Sequence, residues 1–204
     1  DMIYHAEMVG RAVRRALVVV DLPFPGGHLG TYQAIESAGR ILKQARCQAV
    51  KLEGGAEQAD VIRALVSAGI PVMAHVGLTP QSVNALGGYG ARGRTQEEHE
   101  KIIADGQAVA RAGAFAVVIE GVVEPIAVAL TRSLEIPTIG IGASAQCDGQ
   151  VLVTEDMLGM FERVPRFVKR YGTIAEDITA AAELYAKEVR ERSGSVADHL
   201  YTVE

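Results

Sequence analysis

The chain has 204 residues, enough for one large domain, and a hydrophobic share of 49% that can fill a sizeable core. Its formal charge of −5 is spread without a Lys/Arg stripe, aromatics make up only 5% and Trp is absent, which argues against nucleic-acid binding through a basic patch or a stacking platform. Apolar runs such as 16–20 and 115–119 fall far short of the roughly 20 residues of a membrane-spanning helix, and no secretory signal opens the sequence.

The first residues, Asp1-Met2-Ile3-Tyr4-His5, combine an N-cap type residue with Ile3, Met8, Val9 and Val13 at helical spacing. A chain that starts at a helix start rather than at Met carries the expectation that a segment precedes it. A β-branched run at 16–21, ended by Leu22-Pro23, predicts the first strand. Ala34, Ile35, Ala38, Ile41, Leu42 and Ala45 then mark a helix over 31–45. The second strand, 49–53, is halted by Gly54-Gly55, and a helix over 57–68 leads through Gly69 to the third strand, 71–76. Thr79-Pro80 starts a short helix, residues 87–94 form a glycine-rich loop, and a helix over 95–112 precedes the fourth strand, 115–120. Glu124-Pro125 opens a helix to about 134, strands follow at 137–141 and 151–153, and two helical patterns close the chain, the last over 175–192.

Short β-branched runs alternating with longer helical patterns imply βαβ units and a parallel sheet within one domain, 1–204. The strands are apolar almost throughout, as expected for burial on both faces. A barrel and an open sheet both satisfy that periodicity.

Ionisable residues recur at the C-terminal ends of four successive strands: Asp21, Lys51 with Glu53, His75, and Glu120. In parallel α/β folds the βα loops at that end build the pocket, so catalytic groups gather there. Lys51 and Glu53 are two apart and share one face of their strand. Each residue also has a plain reading: Asp21 as a strand-ending turn residue, Lys51–Glu53 as an ordinary ion pair, His75 as a satisfied buried histidine. Glu120 is hardest to explain so, because it directly follows Ala116-Val117-Val118-Ile119. Carboxylates such as Asp21 and Glu53 are hard oxygen donors suited to Mg²⁺, Lys51 can balance an anionic substrate, and desolvation of a carboxylate at Glu120 suits a general acid–base. The loop over 87–94 lacks a GxxxxGK[ST] pattern and reads equally as an active-site flap or as an ordinary loop. Cys47 and Cys147 form no CxxC pair and no metal-ligand spacing, and read as free thiols in a reducing cytoplasm.

Several segments resemble the ketopantoate hydroxymethyltransferase family: Val20-Asp21-Leu22-Pro23-Phe24, Val50-Lys51-Leu52-Glu53-Gly54-Gly55 and His75-Val76-Gly77-Leu78-Thr79-Pro80-Gln81-Ser82. So do Gly87-Gly88-Tyr89 with Gly93-Arg94, Ile139-Gly140-Ile141-Gly142-Ala143, and Cys147-Asp148-Gly149-Gln150-Val151-Leu152-Val153. The resemblance implies a (β/α)8 TIM barrel of the phosphoenolpyruvate/pyruvate superfamily, with about six of its eight strands in this chain, assembled as a homodecamer. It implies transfer of a hydroxymethyl group from 5,10-methylenetetrahydrofolate to 3-methyl-2-oxobutanoate, in pantothenate biosynthesis. By matching motif positions, Asp21 and Glu53 would be Mg²⁺ ligands, Asp21 and Lys51 would bind the substrate, and Glu120 would be the catalytic proton acceptor. His75 is then an additional active-site candidate. The family carries two further βα units ahead of the opening helix, the second ending in a Gly-Asp-Ser segment with another metal ligand and no counterpart in this sequence. Ser144 stands where many members have glycine. The alternatives are another metal-dependent 2-oxo acid lyase or mutase of that superfamily, and an inactive barrel fragment that acts only in assembly.

Overall fold

A computed structural model describes residues 1–88, 90–194, 199 and 201; Tyr89 of the glycine-rich loop lies outside them. The chain divides into two compact units, Asp1–Val151 and Leu152–Glu204.

In the first unit, helix α1 (Met2–Ala12) leads to strand β1 (Val19–Asp21), α2 (Thr31–Ala45), β2 (Ala49–Glu53), α3 (Ala59–Ser67), β3 (Val72–Gly77) and α4 (Val83–Leu86). Then come α5 (Gln96–Arg111), β4 (Ala116–Glu120), α6 (Glu124–Ser133), β5 (Thr138–Ile141) and β6 (Gly149–Gln150). The six strands pair in the order in which they occur, and every pair is parallel. A doubly wound sheet reverses its strand order at a switch point. This sheet has no reversal, so its winding is that of a barrel wall, which settles the choice that periodicity leaves open.

The helices that cover the sheet follow the expected apolar stripes. Ala34, Ala38, Ile41 and Ala45 are the buried face of α2. On α5 the Thr95 hydroxyl accepts a hydrogen bond from Glu98 N at 3.2 Å and caps the helix. Val117 and Ile119 of β4 are fully buried, each worth about 1.5–3 kcal/mol of transfer free energy.

Three elements differ from their sequence reading. β1 starts at Val19 because Leu17 is exposed and Val18 N donates to the Gln48 side chain at 2.9 Å. The helix expected from 57 begins with a 3-10 turn, Ala56–Gln58, whose Ala56 N–H is drawn to the Asp105 carboxylate at 3.0 Å. The sixth strand is Gly149–Gln150, not 151–153. Its pairing starts early because Asp148 is anchored on β5. Thr138 donates to Asp148 Oδ2 through both N (2.8 Å) and Oγ1 (2.9 Å), which sets Gly149 beside Ile139. Ser144, in the loop between these strands, is buried; its Oγ donates to Glu124 Oε1 at 3.2 Å and accepts from Gln146 N at 3.1 Å.

The second unit contains α7 (Thr154–Met157) and α8 (Ile174–Glu191). Arg170 Nη2 donates to the carbonyls of Phe161 and Glu162, both at 2.8 Å, and organises the connection. α8 buries no residue, and Ile178, Leu184, Tyr185 and Val189 are exposed along it.

The hydrogen bonds from Thr138 hold the Asp148 carboxyl below its ordinary value. A lowered folded-state value means this stabilisation is complete above the unfolded pKa and is lost as pH falls through the folded one. Asp148→Asn is therefore expected to lower the melting temperature at pH 7, with the gap to wild type closing under acid; a gap that stays constant down to the acid limb of a pH series of thermal melts contradicts this.

Candidate active site

Asp21, Glu53 and Glu120 are the last residues of β1, β2 and β4, and His75 lies near the end of β3. The parallel register sets Asp21 beside Lys51 and Glu53 beside His75, while Glu120 lies beside Gly77. Lateral pairing thus brings residues far apart in sequence onto one edge of the sheet.

The side chains form a chain of contacts across four strands. Asp21 Oδ1 lies 2.6 Å from Lys51 Nζ, and Lys51 Nζ lies 3.1 Å from His75 Nδ1. On the other side of the ring, His75 Nε2 is 3.2 Å from Glu120 Oε2. An ammonium only donates, so Nδ1 accepts and the proton of a neutral imidazole sits on Nε2, facing Glu120. The Nε2 contact is a close approach out of line for a good hydrogen bond, and His75 is only 3% exposed. Glu120 is 16% exposed at its side chain, so it reaches solvent from the end of a buried strand.

Glu53 is turned differently. Its Oε1 stands 4.0 Å from His75 Nδ1, beyond hydrogen-bond reach, and its Oε2 accepts from Gln81 N at 2.9 Å. Gln81 Nε2 in turn donates to the Leu22 carbonyl at 3.0 Å. The sequence reading assigns Gln81 no role.

The loops carrying these groups depend on two close approaches. Gly77 has φ of +93°, and a Cβ there would lie 2.4 Å from the Glu120 carbonyl oxygen, which accepts from Leu78 N at 2.8 Å. Gly55 leaves room for Asp105, whose Cγ would be 2.1 Å from a Cβ at that position. Asp105 projects from the buried face of α5, accepting from Ala56 N through Oδ1 and from Lys101 Nζ through Oδ2 at 2.7 Å. Burial opposes the charge on Lys101, yet the bond to Asp105 and the charges of Asp105 and Glu57 hold its ammonium above the ordinary range. A carboxylate among Ile102, Gly106 and Val109 on a buried helix face was the available signal for this role.

The glycine-rich loop is tied at its far end to the turn after β4: Arg92 N donates to the Gly121 carbonyl at 2.7 Å and Val123 N to the Arg92 carbonyl at 2.9 Å. A separate cavity of about 230 Å³ is bounded by Gly54, Gly55, Thr79, Arg92 and Lys101, with Val76 rather than His75 in its wall. By strand alternation it lies on the opposite face of β3 from His75.

The sequence pattern of the ketopantoate hydroxymethyltransferase family matches residues 1–194. The chain belongs to that family, one of hydroxymethyl-transferring enzymes. It is 61% identical over 197 residues to the 3-methyl-2-oxobutanoate hydroxymethyltransferase of Erythrobacter litoralis, covering 97% of this chain and 68% of that one. It is 61% identical over 192 residues to the enzyme of that name from Novosphingobium aromaticivorans, covering 94% of this chain and 66% of that one. Among solved structures it resembles 2,3-dimethylmalate lyase of the PEP mutase/isocitrate lyase superfamily, with a TM-score of 0.56 at 16% identity over 98% of this chain and 70% of that one. A lyase/mutase of Burkholderia cenocepacia gives 0.52 at 19% identity, over 100% and 71%. These likenesses place the six parallel strands in a partial (β/α)8 barrel.

Gly77→Ala is expected to destabilise the folded state by about 2–4 kcal/mol, because a strained φ and a backbone clash act together. Urea unfolding reads this directly; a loss under about 1 kcal/mol would show that the Glu120 turn yields.

Proposed function

We propose that this protein transfers a hydroxymethyl group from 5,10-methylenetetrahydrofolate to 3-methyl-2-oxobutanoate, giving 2-dehydropantoate for pantothenate biosynthesis. The observation that carries the reading is the contact chain Asp21–Lys51–His75–Glu120 at the strand ends of a chain that belongs to this family.

Glu120 takes the C3 proton of the keto acid, with His75 Nε2 standing 3.2 Å from one of its carboxylate oxygens. Lys51, oriented by Asp21 and His75, binds the substrate carboxylate. In the net balance, the folate methylene carbon exchanges two C–N bonds for one C–C bond to C3 and one C–O bond to water. The C3 proton and the remaining water proton end on the folate nitrogens.

Asp21 and Glu53 are the residues that would hold Mg²⁺. Asp21 Oδ1 is buried and, apart from the Lys51 ammonium at 2.6 Å, has no hydrogen-bond partner, and Glu53 Oε1 stands 4.0 Å from His75 Nδ1. These hard oxygens fit the ion, which is commonly bound through one or two carboxylates with waters completing its shell. Among the described residues no group of three or more His, Cys, Asp or Glu forms a cage, so further ligands would complete the shell. When bound, Mg²⁺ would stabilise negative charge on the keto oxygen of the substrate.

Family membership also supports a cytoplasmic homo-oligomer, a decamer on this reading. No described helix is long and apolar enough to cross a membrane, and the exposed Tyr4, Met8 and Val9 of α1 suit burial against another surface.

The test is product formation by the full-length protein given keto acid, methylenetetrahydrofolate and Mg²⁺. Wild type should yield 2-dehydropantoate by mass spectrometry, and its absence contradicts the reading. Glu120→Gln should lower turnover by at least 1,000-fold, on the order expected for loss of a general base with its charge, while keto acid affinity stays within about threefold. Lost affinity with catalysis intact rules out Glu120 as the base.

A further inference from the structure

We propose that Gln81 is a positioning residue that fixes the Asp21 and Glu53 carboxylates relative to one another; this rests on the transferase reading above. Gln81 sits in a single 3-10 turn, Pro80–Ser82, directly after β3. Pro80 sets φ at the start of the turn and aims the next N–H outward from it. That N–H meets Glu53 Oε2 at 2.9 Å, across 28 residues of sequence. The Gln81 side chain extends the other way, and its amide donates to the Leu22 carbonyl at 3.0 Å, across 59 residues.

Leu22 is the residue after Asp21, is 1% exposed, and donates its own N–H to the Lys51 carbonyl at 2.9 Å. One residue therefore grips the end of β1 and the carboxylate that ends β2. Both bonds lie outside the β ladder, so the sheet forms without them. What they add is one anchor shared by the backbone that follows Asp21 and by the Glu53 carboxylate. β1 needs this most: it is three residues long, and among the described strands it pairs only with β2.

Substitution separates the two grips. The N–H to Glu53 survives any replacement except proline, whereas the bond to Leu22 needs a side-chain donor of this length. Gln81→Met keeps the length and volume and removes the donor. Glu120 and His75, on β4 and β3, are not gripped by Gln81 and keep their places.

The experiment measures Mn²⁺ binding by calorimetry, steady-state kinetics with Mg²⁺, and melting temperature on the full-length protein. Gln81→Met should weaken Mn²⁺ binding and raise KM for the keto acid, each by about 5- to 20-fold as expected for losing one well-placed hydrogen bond, with kcat within about threefold. Gln81→Asn, which keeps the amide one methylene short, should move the same two constants in the same direction and serves if the Met variant does not fold. A fall in melting temperature with Mn²⁺ affinity and KM unchanged overturns the positioning role and leaves Gln81 a structural residue. Wild type that binds no Mn²⁺ and makes no product overturns both this inference and the transferase reading; active wild type with variants indistinguishable from it overturns the inference alone.

Discussion

The structure around the site depends on how Lys51 is held. An ammonium largely buried at the end of a parallel sheet is costly to desolvate and needs acceptors that converge on it. Asp21 supplies one from β1 and His75 Nδ1 another from β3, so three neighbouring strands meet on a single cation. The Asp21 carboxylate is 42% exposed at its side chain, so solvent screens that pair and its value as a stabilising bridge is small. The consequence is chiefly geometric. By claiming Nδ1 as an acceptor, Lys51 fixes the imidazole tautomer, and the tautomer turns an N–H toward Glu120.

Backbone requirements follow from the same arrangement. Glu120 can end its strand beside β3 only because Gly77 offers no Cβ, and Glu53 can end β2 only where Gly54 and Gly55 let the chain turn past Asp105. Gly54 has φ of +130° and donates its N–H to the His75 carbonyl at 3.0 Å, so the turn that ends β2 is tied to the strand carrying the histidine. Sequential winding of the sheet makes this network local: each charged residue belongs to a strand whose neighbour in sequence is also its neighbour in space.

Much of this was legible in the sequence, for identifiable reasons. The span of α2 and the nearly full extent of β4 follow from apolar periodicity strong enough to outweigh local ambiguity. The strand-end positions of Asp21, Lys51, Glu53, His75 and Glu120 stood out because ionisable residues interrupt apolar runs at equivalent points. What stayed hidden depends on contacts between distant segments. Strand order is a property of pairing, not of periodicity, so barrel winding could not be told from an open sheet. The shift of β6 to Gly149–Gln150 comes from Asp148 clasping Thr138, which no local pattern announces. Gln81 escaped notice because half of its role is carried by its backbone N–H, which every residue but proline possesses.

The most direct test of the central claim, that this row of strand-end residues removes a proton beside a keto group, is exchange of the C3 hydrogen of 3-methyl-2-oxobutanoate in D₂O with Mg²⁺ and no folate. Followed by proton NMR, the full-length wild-type protein should wash out the C3 signal, and Glu120→Gln should leave it at the uncatalysed rate. Exchange that persists at the wild-type rate in Glu120→Gln would contradict the account, since the base would then lie elsewhere.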